Sequence, residues 1–179
     1  MSGPEQRAPK AVLIGLPGTG KSTTGRRLAK ILAIRFTDSD DLVEQATGRK
    51  VATIFAEDGE STFRQLEADA IADALNSFDG VLAFGGGAIM TPRTRDAISF
   101  AGIPVVLLRA SLGILATRVG DARTRPLLAE DPRARLAELA AEREPTYRAA
   151  ATFVVETDNR TPGQVAATVA ARLHERARR

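Results

Sequence analysis

Residues 15–22, Gly15-Leu16-Pro17-Gly18-Thr19-Gly20-Lys21-Ser22, match the pattern G-x-x-x-x-G-K-[ST]. The context agrees: the apolar run AVLIG (residues 11–15) reads as a buried parallel strand. KSTTGRRLAKILA then places Leu28, Ile31 and Leu32 on one helical face. Strand, glycine loop and helix in this order form a phosphate cradle, in which backbone N–H groups converge on anionic oxygens at a helix N-terminus. The expected nucleotide contacts are Gly18, Thr19, Gly20, Lys21, Ser22 and Thr23. Lys21 would neutralise the β- and γ-phosphates, and the Ser22 hydroxyl would be a Mg²⁺ ligand. The dinucleotide pattern G-x-G-x-x-G fails because residue 17 is proline.

Beyond the loop, short apolar runs alternate with helical spacings. Strands are predicted at 34–37, 81–84, 103–108 and 152–155, and helices at 41–47, 51–75 (broken near Asp58-Gly59), 92–100, 111–119, 132–148 and 161–176. This alternation predicts an α/β fold with a parallel sheet covered on both faces. The stretch GDARTRPLLAED (residues 120–131) has no periodicity. With 179 residues, 44% of them hydrophobic, a single domain spanning 1–179 is expected. The leader 1–9 and the basic tail 174–179 are expected to be flexible.

The chain has no cysteine, which excludes disulfides, thiolate metal sites and cysteine nucleophiles. A cytoplasmic setting is expected, since no apolar run approaches a membrane span and residues 1–10 lack the apolar stretch of a secretory signal. Twenty-five basic residues against 22 acidic ones make a mixed surface, so neither nucleic acid nor membrane is an expected partner. His174 and Tyr147, the only residues of their types, read as a surface residue and as packing at a helix end.

The carboxylate that a nucleoside-triphosphate site needs near its metal is absent from VLAFGGG (residues 81–87). Asp38 and Asp40, flanking Ser39 at the end of the second strand, can both point toward the carboxyl edge of the sheet, where ligands of such folds gather. Asp38 would orient metal-bound water, and Asp40 would meet the hydroxyl that attacks the γ-phosphate. The same triplet would serve equally well as a helix cap, with Asp40 as the capping residue.

GLPGTGKST, the Asp-Ser-Asp triplet, DGESTFRQLE, GGGA, RPLL and Arg143-Glu144-Pro145-Thr146-Tyr147, in this order and spacing, make the chain resemble the shikimate kinase family from Lys10 to Leu173. The resemblance implies a P-loop, nucleoside-monophosphate-kinase-like three-layer sandwich with a five-stranded parallel sheet and a mobile lid, about 120–131. The implied reaction is ATP plus shikimate giving shikimate 3-phosphate and ADP, in aromatic amino-acid biosynthesis, with Mg²⁺ as cofactor and a monomer as the working unit. Carried over by residue, it implies that Asp40 contacts the substrate hydroxyls, Arg64 and Arg143 hold the carboxylate, and Gly85, Gly86 and Gly87 line the ring. Arg125 would be the lid arginine at the transferring phosphate, and Arg118 and the segment Arg160-Thr161-Pro162 would border adenine.

The chemistry of such a substrate agrees, because a ring with one carboxylate and several hydroxyls asks for arginine forks at one end and an aspartate at the other. Glu67 is spaced to hold Arg64 through an i,i+3 pair. Without the resemblance, Arg64 reads as a solvated helix charge. The glycine run is expected to leave room for the substrate ring and to present N–H groups to the substrate or the γ-phosphate. The alternatives are another small-molecule kinase of this fold, such as a gluconate kinase, and a non-catalytic ATP-binding regulatory module.

Overall fold

The computed structural model describes residues 8–119 and 132–178. Arg125 and the expected lid, 120–131, therefore lie outside the described residues, as does most of the leader. Five short strands, β1 (Ala11–Ile14), β2 (Arg35–Asp38), β3 (Gly80–Ala83), β4 (Val105–Arg109) and β5 (Phe153–Glu156), form one sheet in the order β2-β3-β1-β4-β5. Every pairing is parallel, and β1 sits at the centre with Leu13 opposite both Ala83 and Val106. The strands begin and end within a residue or two of their predicted bounds, the normal uncertainty of such boundaries.

Because side chains alternate along a strand, β1 feeds two cores. Val12 and Ile14 join Leu82, Phe84, Val105 and Leu107 beneath α3 (Val51–Ser77), α4 (Pro92–Ala101), α5 (Leu112–Val119) and α6 (Pro132–Ala150). On the opposite face Leu13, Val81, Ala83, Val106 and Leu108 pack on Leu28 and Ala29 of α1 (Lys21–Leu32) and on Val165, Ala166 and Val169 of α7 (Pro162–Ala177). Each such fully buried Leu or Val contributes about 1.5–3 kcal/mol. This is the expected three-layer sandwich.

A third, smaller core joins Val43 of α2 (Ser39–Thr47) to Ile54, Phe63 and Ala70 of α3. It exists because α3 is two helices in sequence: Gly59, at φ 82° and ψ 171°, breaks it where the sequence predicts. That left-handed φ is open to glycine at little cost. Arg49 secures the bend by pairing with Glu57 (2.7 Å) and Asp58 (2.5 Å). The second half of α3 then runs back toward the sheet and carries Arg64 and Glu67 with it. No helix among the described residues is long and apolar enough to cross a membrane.

Candidate active site

At the carboxyl ends of β1 and β3 the phosphate loop faces the glycine run. Gly18 and Gly20 both have φ of 86°, and Gly20 precedes the first turn of α1, so the loop's N–H groups converge at a helix N-terminus. Lys21 lies across the loop, its Nζ donating to the carbonyls of Gly15 and Leu16, each at 2.9 Å. A cavity of about 500 Å³ is lined by Gly18 to Thr24 together with Arg118, Arg160 and Pro162. The fold thus gathers every nucleotide-contact residue expected from the sequence, Arg125 excepted.

Arg118 is fixed there by donating to the hydroxyl and the carbonyl of buried Thr157, each at 3.0 Å. Arg160 is held against α7 by Gln164 and Thr168. Thr161 is occupied in a capping box, exchanging bonds with Gln164 at 2.9 and 3.2 Å. A larger cavity of about 630 Å³ lies between the end of β4 and α6 and is bordered by Glu144, Glu156 and Asp158. Those carboxylates disfavour a triphosphate, whereas the smaller cavity is lined by the N–H donors of the phosphate loop and by three cationic side chains, Lys21, Arg118 and Arg160.

Asp38 and Asp40 divide the tasks of the Asp-Ser-Asp triplet. The helix cap is Asp38, whose Oδ1 accepts from the Asp41 N–H at 3.0 Å, and not Asp40. The helix begins at Ser39, earlier than the apolar pattern indicates, because Asp38 keeps an extended backbone while Ser39 turns. The other oxygen of Asp38 lies 3.5 Å from the Ser22 hydroxyl. Asp40 is thereby left uncommitted on the open side of the site. Burial of its inner side, then the charges of Glu67 and Asp38, push its pKa up to about 6, with Arg64 opposing.

The glycine run is explained by close approach of neighbouring side chains. A Cβ on Gly87 would collide with the Arg64 guanidinium, one on Gly86 would lie 3.2 Å from Arg143 Nη1, and one on Gly85 would lie 2.9 Å from Glu67 Oε1. The room the glycines leave thus admits the side chains that would bind substrate, Arg64, Arg143 and Glu67. The Gly85 N–H is also committed, donating to Ser39 Oγ at 2.8 Å.

Glu67, 1% exposed, accepts from Arg64 Nη1 at 2.6 Å and from Ser39 Oγ at 2.8 Å, so the expected i,i+3 pair forms. Arg64 pairs also with the more exposed Glu60, at 3.2 Å. Arg143 is only 8% exposed, and its buried Nε has no hydrogen-bond partner among the described residues. A buried guanidinium N–H left unmatched is costly unless an anion meets it. Sequence reasoning missed Ser39, which bridges Glu67 and Gly85, and the partners of Tyr147, which packs near the end of its helix as expected. Tyr147 lies in the last turn of α6, 1% exposed, with its hydroxyl donating to the Gly86 carbonyl at 2.6 Å.

A phosphate loop on a five-stranded parallel sheet, facing a glycine run against which two arginines and an aspartate lie, defines a P-loop kinase acting on a small acceptor. The family model for shikimate kinase matches residues 17–174, and the chain belongs to the shikimate kinase family. A shikimate kinase of Mycobacterium avium is 52% identical over 167 residues, covering 93% of this chain and 94% of that one. The structure of the Acinetobacter baumannii shikimate kinase in complex with shikimate superposes with a TM-score of 0.88, at 32% identity and 94% coverage of both chains. A gluconokinase from Sinorhizobium meliloti shares the fold, with a TM-score of 0.62 and 18% identity over 97% of this chain and 96% of that one.

Proposed function

We infer that this chain transfers the γ-phosphoryl group of ATP to shikimate, giving shikimate 3-phosphate and ADP in aromatic amino-acid biosynthesis. The observation that carries this reading is the convergence of Arg64 and Arg143 on adjacent glycines, Gly87 and Gly86, with the buried Nε of Arg143 lacking a partner among the described residues. Two forks at one point suit a carboxylate, which shikimate has and a nucleoside monophosphate lacks. The open side chain of Asp40 supplies the acceptor for the substrate hydroxyls, and Glu67 holds Arg64 in place.

The nucleotide occupies the cavity between the phosphate loop and Arg118, Arg160 and Pro162. There Lys21 exchanges its carbonyl contacts for phosphate oxygens, and the loop N–H groups stabilise the charge that develops in transfer. Among the described residues no group of three His, Cys, Asp or Glu side chains could hold a metal. Ser22 and Asp38 offer hard oxygen donors, which fit Mg²⁺, an ion that takes few protein ligands and fills its sphere with water and phosphate. When bound, the ion would neutralise phosphate charge. A cytoplasmic monomer is part of this reading, and a chain without cysteine is compatible with a reducing compartment.

ADP release measured in parallel with shikimate, gluconate and nucleoside monophosphates tests the assignment. Turnover is expected with shikimate, and turnover with gluconate instead would transfer the chain to the alternative kinase. At the substrate end, Arg143→Lys is expected to weaken shikimate binding about tenfold, the worth of one charge-assisted hydrogen bond that an ammonium cannot replace. Calorimetry should find affinity for an ATP analogue unchanged. Equal losses for both ligands would mean that Arg143 holds the fold and not the carboxylate.

A further inference from the structure

Tyr147 stands one helical turn after Arg143 on α6, with its ring in the core and its hydroxyl between two backbone carbonyls. It lies 2.6 Å from the Gly86 oxygen and 3.3 Å from the Gly15 oxygen. The Gly15 oxygen is the same one that accepts from Lys21 Nζ at 2.9 Å. Pro17 closes the gap, since a Cβ on Gly86 would lie 3.3 Å from its Cδ. Arg143 lies beside the phenol, whose pKa burial pushes up while the guanidinium works against that rise. A continuous path thus runs from the substrate arginine, through the phenol, to the carbonyl that holds the catalytic lysine.

A phenol carries one hydrogen, and here it has two acceptors. With Lys21 on the Gly15 oxygen, the hydrogen serves Gly86 through the shorter bond. When Lys21 leaves for a phosphate, the Gly15 carbonyl loses a donor, and the phenol is the neighbouring group able to share its hydrogen with it. We propose that Tyr147 is a positioning residue for phosphoryl transfer, its hydroxyl holding the phosphate loop at Gly15 and the glycine run at Gly86 in one fixed relation while Arg143 holds the acceptor. This rests on the shikimate reading above, because it requires Arg143 to carry the acceptor. The phenol touches neither reacting group, so its effect belongs to the alignment of two substrates already bound.

Tyr147→Phe keeps the ring and removes the hydroxyl. The expected result is a fall in kcat of about tenfold, the size of one neutral hydrogen bond effective only in the aligned site, with both KM values within about twofold. A kcat within twofold of the unsubstituted enzyme, or a KM that moves more than kcat, overturns the proposal. If the unsubstituted enzyme fails to phosphorylate shikimate, the functional reading fails first and separately. Should the variant not fold, the unsubstituted sequence still decides, because it holds one tyrosine and no tryptophan. Growth on 3-fluorotyrosine labels position 147 alone, and its fluorine resonance is expected to move on adding ADP and on adding shikimate. A resonance that ignores either ligand overturns the coupling.

Discussion

Lys21→Ala lowers kcat by about 10²- to 10³-fold and leaves the melting temperature close to that of the unsubstituted chain. The magnitude is that of removing one preorganised donor from the charge that develops during transfer. The fold should survive because Lys21 is only partly buried and its two bonded carbonyls belong to the loop it crosses, outside the three apolar cores. The Gly15 carbonyl also keeps the Tyr147 hydroxyl nearby. Steady-state kinetics with thermal unfolding would check both halves. A variant with near-normal turnover would remove the lysine from the chemistry, and one that unfolds at room temperature would make it structural.

Asp40→Asn is expected to cost at least about a hundredfold in kcat, the range for a positioned acid–base group, and to make the protein more stable at pH 8. The carboxyl titrates near 3.8 in an unfolded chain and near 6 in the folded one. The folded state therefore binds the proton more tightly, and the stability this contributes is complete below about pH 3.8 and lost as pH rises through about 6. At pH 8 a charged Asp40 opposes Glu67 and Asp38. Solvent on its open side screens much of that repulsion, leaving on the order of 1 kcal/mol, or about 2 to 4 °C. Asparagine removes the charge, so the gain should appear at pH 8 and vanish at pH 4, and the acid limb of kcat/KM near pH 6 should disappear. A lowered melting temperature at pH 8 would contradict the repulsion, and a rise in KM alone would make Asp40 a binder of hydroxyls.

What could be read in the sequence is what is encoded contiguously. The phosphate loop is eight successive residues, and the Gly59 break and the Arg64–Glu67 pair lie within one or two helical turns, so local periodicity suffices to find them. The choice between Asp38 and Asp40 as the cap escaped, because it depends on which residue first takes helical dihedrals, and both aspartates serve equally well as letters. The glycine run announced a close approach, yet glycine carries no mark of what approaches. Ser39 and Tyr147 were hidden for a stronger reason: Ser39 receives the N–H of Gly85, 46 residues away, and Tyr147 reaches the Gly15 carbonyl across 132 residues. Backbone groups are the same in every residue, and only the folded chain says which one a side chain meets.

The strand order has a consequence for how the chain is made. β1 is the first strand to leave the ribosome, but both of its neighbours, β3 and β4, come much later, and β2, the next strand synthesised, pairs only with β3. At translation speeds of roughly 5–20 residues per second, Ile14 waits roughly 3 to 13 s before Gly80 exists. The wait on the α1 side is longer, because Leu28 and Ala29 are covered by Val165, Ala166 and Val169 of the last helix. A nascent chain therefore carries the narrow apolar stripe of α1, Leu28 and Ala29, without its last cover until α7 is synthesised.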